Sequence, residues 1–399
     1  MKKLPVGIQS FEDIRNDDYV YVDKTNYVCS LADTGKMYFL SRPRRFGKSL
    51  FLSTLEAYFL GKQDLFNGLA AEAYENAKPE EKRWVVYPVL KFSLSGGAYQ
   101  TDEGLSNTLR FALDQFEDKY SIIHKEDLDL PTQFRWCIRE AYRITGKKVV
   151  VLVDEYDKPL LETMMINPEQ EERNRILFKS FYSVLKDEDE YIRFGFFTGV
   201  TKFSQISIFS DLNQLKDISL TDRYAGICGI TEDELHLYLN EHVSELAEKE
   251  GCTTESCYGL LKEMYDGYRF SAEGIGLYNP FSVLNALSDL KLGRYWYSTG
   301  TPTFLIHVLQ GSRFSPVDFK NGIRTTEQNI MDYRVDRPDP VPLFYQSGYL
   351  TIAGYDRRLG QYELKFPNLE VEQGFAGSLF PYYFHKDESE RFSDRPFCR

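Results

Sequence analysis

The chain has 399 residues, which is enough for more than one domain. Of these residues 42% are hydrophobic, 15% aromatic and 27% charged, a composition that is typical of a soluble globular protein and excludes a disordered chain. Its 60 acidic side chains against 48 basic ones give a net charge of -12, which argues against a general nucleic-acid-binding protein because that class carries a basic surface. The six cysteines are scattered, which argues against a zinc site and a disulfide framework. The sequence has no long apolar run and no signal peptide, which argues against a membrane segment and favours a cytoplasmic location.

The first half of the sequence alternates apolar runs with helical patterns. After a polar lead-in, residues 1–35, the apolar run 36–41 predicts a strand, and residues 50–61 have helical spacing. Residues 149–153 are all apolar, as expected of a strand buried on both faces of a parallel sheet. The alternation predicts an α/β fold, a parallel sheet with helices on both faces. The predicted strands after 36–41 are 85–95, 147–157 (of which 149–153 is the apolar core), 191–200 and 215–220, and helical spacing is found in 101–144 and 170–188.

A loop with the residues that bind phosphate connects the first strand to the first long helix. Backbone N–H groups at a helix N-terminus bind phosphate oxygens, and Gly47 allows the backbone to approach them closely. Lys48 is expected to contact the β- and γ-phosphates of ATP, and the Ser49 hydroxyl to ligate Mg²⁺. We call residues 41–49 the phosphate loop. The predicted nucleotide-binding residues are Arg44, Arg45, Phe46, Gly47, Lys48, Ser49 and Leu50.

One residue departs from the usual phosphate-loop pattern. The pattern G-x-x-x-x-G-K-[ST] has glycine at position 42, where this chain has Arg42, so the loop is expected to begin with a different turn set by Pro43. Arg42, Arg44, Arg45 and Lys48 concentrate positive charge in an acidic protein. This concentration favours anion binding over the alternative of a solvated basic turn.

An acidic pair lies at the end of the most apolar strand. Asp154 is expected to hold Mg²⁺, often through water, and Glu155 to act as the general base on the attacking water. The alternative is a solvated acidic turn, and nearby Asp157 is interpreted as a residue that could simply face solvent. The presence of the phosphate loop earlier in the chain favours the catalytic interpretation.

The end of the next strand, residues 196–202, supplies a third group of candidates. Thr198 or Thr201 could hydrogen-bond to the γ-phosphate or the attacking water, with Lys202 as a charge donor, against the alternative of a plain turn. Thr198 is therefore grouped with Lys48 and Glu155 as catalytic. Arg223 is a weaker candidate for an arginine finger.

Together these motifs resemble a bacterial family called AAA-ATPase-like, many members of which carry a PD-(D/E)xK nuclease-like domain at the C-terminus. In that family RPRRFGK[ST] itself stands where other loops begin with glycine. The resemblance implies a P-loop ATPase core with an extra strand between the two Walker strands and a catalytic Glu. The matching segments are 7–25, 42–50, 151–160, 196–220, 224–235, 265–270, 277–282, 295–306 and 343–352.

The second half of the chain predicts helices and a small C-terminal module. Thr231 with Glu234 matches a capping box. The aromatic stretches 263–270 and 277–287 are interpreted as core packing rather than adenine or partner binding, and residues 343–366 predict a hairpin of a winged-helix module. The predicted domains are a P-loop ATPase core (1–225), a helical lid-like region (226–310), a winged-helix-like module (311–375) and a polar tail (376–399).

A nuclease-like pattern in this half is interpreted as a coincidence. Pro338 and Asp339 are followed by Glu363 and Lys365, but the last two alternate with apolar residues on a predicted hairpin strand, which is typical of a solvated face. The 28 residues after Val371 are too few for the nuclease-like domain of the family, so the chain is expected to be truncated or a shortened member.

The favoured function is Mg²⁺-dependent ATP hydrolysis that drives or gates a conformational change. The alternative is a regulatory nucleotide-binding module with negligible turnover. DNA contact through the winged-helix segment, including Arg357 and Arg358, is a further alternative against which the net acidity argues. The expected partners are ATP and an unidentified protein, with no membrane association.

Overall fold

The computed structural model describes residues 1–164, 166–202, 215–298, 321–331 and 339–384, together with Leu305 and Phe319. Within these residues, none of the helices combines the length and the hydropathy that crossing a bilayer requires.

Five parallel strands form the central sheet, as predicted. β4 lies between β1 and β3, so the extra strand that the family resemblance implies is present. Ser41 at the end of β1 pairs with Gly199 at the end of β4, and the neighbouring β3 ends at Asp154. The loops that follow these three strands therefore emerge at one edge of the sheet. In the order β2-β3-β4-β1-β5 the strands are β1 (Met37–Ser41), β2 (Val89–Ser93), β3 (Val149–Asp154), β4 (Ile192–Gly199) and β5 (Leu215–Asp217).

Helices cover the sheet and bury its apolar side chains. The lead-in, in which the sequence shows little periodicity, contains two short helices, and the first of them buries Phe11 and Ile14 completely. Every residue of β3 is buried, in agreement with its apolar sequence. The helices are α1 (Phe11–Asn16), α2 (Thr25–Thr34), α3 (Lys48–Phe59), α4 (Ala70–Asn76), α5 (Gly104–Tyr120), α6 (Leu130–Thr145), α7 (Lys158–Leu161) and α8 (Pro168–Asp187).

A second apolar core follows the sheet in sequence and is built from helices. The predicted capping box is confirmed, since Thr231 accepts from the backbone N–H of Glu234 and the Glu234 carboxylate accepts from that of Thr231. The side chains in this core include Leu235, Leu239 and Val283. The helices of this region are α9 (Glu232–Glu250), α10 (Thr254–Tyr265), α11 (Pro280–Asp289) and α12 (Tyr295–Ser298).

The C-terminal part contains a three-stranded antiparallel sheet. Its order is β6-β8-β7, with β6 (Ile323–Thr326), β7 (Thr351–Asp356) and β8 (Gln361–Lys365), and β7 and β8 form the predicted hairpin. The helices here are α13 (Glu327–Met331), α14 (Pro340–Gln346) and α15 (Leu369–Phe384). Helix α15 continues past the module boundary expected at residue 375, and residues 385–399 lie outside the described residues.

The hairpin carries the residues that spell the nuclease-like pattern. Glu363 and Lys365 are exposed and alternate with buried neighbours, which is the solvated face expected from the sequence. Asp339 accepts a hydrogen bond from the backbone N–H of Val341 at the start of α14, while Pro338 lies outside the described residues. At the hairpin tip, Arg357 forms an ion pair with Glu273.

Candidate nucleotide site

The phosphate loop joins β1 to α3 and presents the helix N-terminus at the sheet edge. Gly47 is the N-cap residue of α3, with φ of 96°. A Cβ atom there would meet nothing within 4 Å, so the left-handed backbone, rather than crowding, favours glycine. The first N–H groups of a helix have no acceptor within the helix, so those of α3 can bind an anion.

Lys48 lies inside the loop and close to the acidic residues. Its side chain is buried, and Nζ donates to the backbone carbonyls of Arg42 at 2.8 Å and Pro43 at 2.9 Å. Burial lowers the pKa of Lys48, and the charges of Asp154, Asp157 and Glu155 act in the opposite direction. Because β1 and β3 are parallel and both flank β4, the lysine after β1 and the acidic group at the end of β3 lie at the same edge of the sheet, as the sequence predicts.

The acidic side of the site is held between β3 and β4. Thr198, which is fully buried on β4, donates from Oγ1 to Asp154 Oδ1 at 2.6 Å. This hydrogen bond fixes the orientation of the Asp154 carboxylate at the end of β3. Thr198 thus contacts the predicted metal ligand directly, a contact that the sequence does not predict.

Glu155 follows in an unusual backbone conformation. Its φ is 53°, in the left-handed region that residues other than glycine rarely adopt. Its side chain is 36% exposed, and Lys158 Nζ lies 3.7 Å from its carboxylate. Lys158 also donates to the backbone carbonyl of Ser95, just beyond β2. Strained backbone of this kind is concentrated at functional sites.

The interpretation of Asp157 as a residue that faces solvent is wrong. It is 1% exposed, and its Oδ2 accepts from the backbone N–H groups of Val200 at 3.0 Å and Thr201 at 2.6 Å. A Cβ atom at Gly199 would lie 2.6 Å from Asp157 Oδ1, so only glycine fits there. Burial raises the pKa of Asp157 to about 6. Asp157 therefore holds the turn that follows β4.

The other polar candidates near this edge have structural contacts. The Thr201 carbonyl accepts from the Tyr156 hydroxyl at 2.8 Å. Lys202 Nζ lies 2.8 Å from an Asp217 carboxylate oxygen. Arg223 donates to the Ser30 hydroxyl at 2.7 Å, on an exposed part of the surface.

Arg42 is a structural residue of the loop, so its interpretation as one of the anion-binding cations is wrong. The side chain is 1% exposed, and Nη1 donates to the backbone carbonyls of Ser41 and Ser219, each at 2.8 Å. Nη2 lies 3.2 Å from the carbonyl of Tyr224. Because the guanidinium is committed to these carbonyls, it anchors the start of the loop to the segment after β5. Arg44 and Arg45, in contrast, are exposed.

A largely apolar cleft that is open to solvent lies beside the loop. Buried Lys24 lines it and forms an ion pair with Glu234 at 2.6 Å. Apolar clefts with a few polar groups are the usual binding sites of ring systems such as nucleobases. The walls contributed by the lead-in and by the segment before α9 belong to segments 7–25 and 224–235, which match the family pattern but have no binding role predicted from the sequence. The lining residues include Val20, Tyr21, Val22, Lys24, Phe46, Gly47, Leu50, Phe51, Ile227, Cys228, Gly229, Ile230, Pro280 and Leu284.

A family model and a sequence relative match this chain. A family model described as predicted AAA-ATPase matches residues 5–209. The chain is also 38% identical, over 396 residues, to the uncharacterized protein in the vnfD 5′ region of Azotobacter chroococcum mcd 1, an alignment that covers 97% of this chain and 72% of that protein. The solved ORC2 protein of Aeropyrum pernix, in ADPNP–ADP complexes, aligns with 90% of this chain and 92% of its own at 11% identity. Its TM-score is 0.31, which is too low to support any inference.

Proposed function

This chain belongs to the family of predicted AAA-ATPases, and we propose that it binds ATP at the phosphate loop and hydrolyses it in a Mg²⁺-dependent reaction that gates a conformational change. The family supports nucleotide binding. The observation that supports hydrolysis is that buried Lys48, after β1, lies at the same edge of the sheet as Asp154 and Glu155, at the end of β3, with one strand, β4, between them.

Binding would use the groups that meet at the mouth of the cleft. The N–H groups at the start of α3 would donate to the phosphates, and Lys48 would exchange the carbonyls of Arg42 and Pro43 for phosphate oxygens. The base would enter the apolar cleft next to Phe46 and Leu50. This placement connects the predicted loop residues to a single ligand.

The residues present also fit a magnesium ion. The Asp154 carboxylate, oriented by Thr198, and the Ser49 hydroxyl in the first turn of α3 supply the hard oxygen atoms that Mg²⁺ prefers. Bound Mg²⁺ would neutralise charge on the phosphate oxygens.

Glu155 would accept the proton of the attacking water. The water oxygen forms a bond to the γ-phosphorus while the bond from that phosphorus to the bridging oxygen breaks. The electron pair of the broken bond leaves with ADP, and the water proton goes to the Glu155 carboxylate. The Glu155 side chain is accessible to water, and its backbone is held between the buried residues Asp154 and Tyr156.

Phosphate release and nucleotide binding, measured on the same preparations, test this proposal. Glu155→Gln should lower Mg²⁺-dependent phosphate release at least about a hundredfold while ATP still binds, because it removes the base and keeps the shape. Lys48→Ala should lose both activities. ATP binding with no phosphate release by the wild-type chain would contradict hydrolysis and support a nucleotide-binding switch instead.

A further inference from the structure

The phosphate loop is held by aromatic residues from the second half of the chain. The Arg42 guanidinium lies 4.1 Å from the centroid of the Phe270 ring, and the Phe46 ring lies 5.1 Å from that of Phe270 and 5.1 Å from that of Tyr268. The Arg45 guanidinium lies 4.1 Å from the Phe281 ring. The aromatic stretches 263–270 and 277–287 therefore pack against the phosphate loop, beyond the core packing that their composition predicts.

Trp296 and Gly348 hold the middle of the loop. The Trp296 indole Nε1 donates to the backbone carbonyl of Arg44 at 3.0 Å. Gly348, with φ of 93°, packs so closely on Pro43 that a Cβ atom would lie 2.7 Å from the Pro43 Cβ atom. We call Tyr268, Phe270, Phe281, Trp296 and Gly348 the aromatic clamp.

The loop needs such support because its own sequence does not set its shape. Between Ser41 and Gly47 the loop contains no glycine, although Arg45 has a φ of 60°. A left-handed arginine persists only where the surrounding contacts over-determine it. The clamp supplies those contacts at each residue from Arg42 to Phe46.

The clamp is tied in turn to the C-terminal helix α15. The backbone N–H of Trp296 donates to Glu370 Oε1 at 2.8 Å, and the Ser282 hydroxyl donates to Glu370 Oε2 at 2.7 Å. Glu370 is fully buried in the first turn of α15. A continuous path of hydrogen bonds and peptide units thus runs from the Arg44 carbonyl through Trp296 to Glu370.

We propose that Trp296 is a positioning residue that holds the phosphate loop ready for ATP, and that ATP binding is therefore coupled to the packing of α12 and α15. The proposal rests on the proposed function. Coupling of this kind is reciprocal, because a clamp that favours the binding conformation of the loop is favoured in turn by bound ATP.

Matched substitutions of two tryptophans isolate the indole hydrogen bond. Trp296→Phe keeps an aromatic ring and removes the donor to Arg44, while Trp136→Phe, in α6, removes a more exposed bond of the same length, from Nε1 to the Ile123 carbonyl at 3.0 Å. With a fluorescent ATP analogue, Trp296→Phe should raise Kd about five- to tenfold, as expected for one lost hydrogen bond, and Trp136→Phe less than about twofold. Thermal unfolding of both variants checks that they fold alike.

A matched pair of glycines tests the same idea sterically. Gly348→Ala forces the Cβ atom against Pro43, whereas Gly360→Ala, at φ of 63°, places it in open space. Both alanines carry left-handed strain, so a difference between the two variants reports the contact with Pro43. Gly348→Ala should weaken ATP binding by about tenfold or more, and Gly360→Ala should not. Equal affinities within both pairs would overturn the proposal.

Fluorescence of Trp296 reports the coupling directly. In a Trp84→Phe, Trp136→Phe background the remaining tryptophan is Trp296, and its emission should change when ATP is added. Unchanged emission while the analogue binds would contradict coupling. If the wild-type chain binds no ATP, the proposed function itself is refuted. If the wild-type chain and all the variants bind ATP equally well, only this inference is refuted.

Discussion

The two sides of the candidate site are held by different parts of the molecule. The acidic side depends on contacts between adjacent strands, such as that of Thr198 with Asp154, 44 residues apart in sequence. The phosphate loop depends on residues far along the chain, such as Trp296, which lies 252 residues after Arg44. The acidic side is thus part of the sheet, whereas the loop takes its shape from contacts with the second half of the chain.

Among the substitutions predicted here, removal of the buried Arg42 side chain should cause the largest loss of stability. Arg42→Gly restores the common pattern but leaves the carbonyls of Ser41 and Ser219 without their donor, so the free energy of unfolding should fall by about 3 kcal/mol. Urea unfolding measures this change. Arg44→Gly, at an exposed side chain, is the control and should cost about 1 kcal/mol or less. Equal losses would mean that the buried guanidinium does not stabilise the loop.

The buried carboxylate on the acidic side predicts a pH dependence. Burial raises the pKa of Asp157 from 3.8 to about 6, so the folded chain holds this proton more tightly than the unfolded chain. Its contribution to stability is full below about pH 4 and is lost as the pH rises through 6, by about 3 kcal/mol in all. Asp157→Asn cannot titrate, so the stability difference between wild type and variant should change by this amount over that interval.

The stability contribution of a helix-capping carboxylate should change with pH in the opposite direction. Hydrogen bonds from Thr132 lower the pKa of Asp129, so its stabilisation is lost as the pH falls. Asp129→Asn should therefore give a difference curve that slopes the other way in urea unfolding measured from pH 3 to 7. Parallel curves for the two variants would contradict the burial of Asp157 as the cause.

Thr198 tests whether the orientation of Asp154 matters for turnover. Thr198→Val keeps the shape and removes the hydrogen bond to Asp154, so kcat should fall about tenfold with little change in KM. Thr163→Val is the control, because buried Thr163 bonds only to carbonyls of its own segment. A similar loss of kcat in both variants would show a general packing effect.

The backbone strain at Glu155 predicts the smallest change in the free energy of unfolding. Glu155→Gly relieves a left-handed conformation but adds freedom to the unfolded chain, so the net gain in the free energy of unfolding should be about 0.5 kcal/mol, with turnover lost. Ser121→Gly, at the same φ of 53°, should give a similar gain with turnover kept. If Glu155→Gly destabilises the chain while Ser121→Gly stabilises it, strain at Glu155 is not relieved by glycine.

The sheet and its acidic edge could be predicted because their signals are local. An apolar run such as residues 149–153 indicates a buried strand, and the strand end then places Asp154 and Glu155. Asp157 was wrongly predicted because its partners, the backbone N–H groups of Val200 and Thr201, leave no mark on the sequence around it. Periodicity shows that a residue lies near a strand end but not which turn it supports.

The support of the loop could not be predicted for a related reason. Arg42 was identified as a departure from the pattern, but its acceptors are backbone carbonyls of residues 219–225, which any sequence would supply. The aromatic stretches around Tyr268 and Phe281 are buried or partly buried, as expected for packing, but composition does not state what an aromatic ring packs against. These contacts depend on how two regions dock.

The Mg²⁺ dependence of ATP affinity in Ser49→Ala, Asp154→Ala and the double variant tests most directly whether the two sides form one site. If both residues act on the same ion, each single variant should lose most of the Mg²⁺-dependent gain in affinity, and the double variant should lose little more. Losses that add in full, measured as free energies in the double variant, would show that the loop and the acidic strand end act independently.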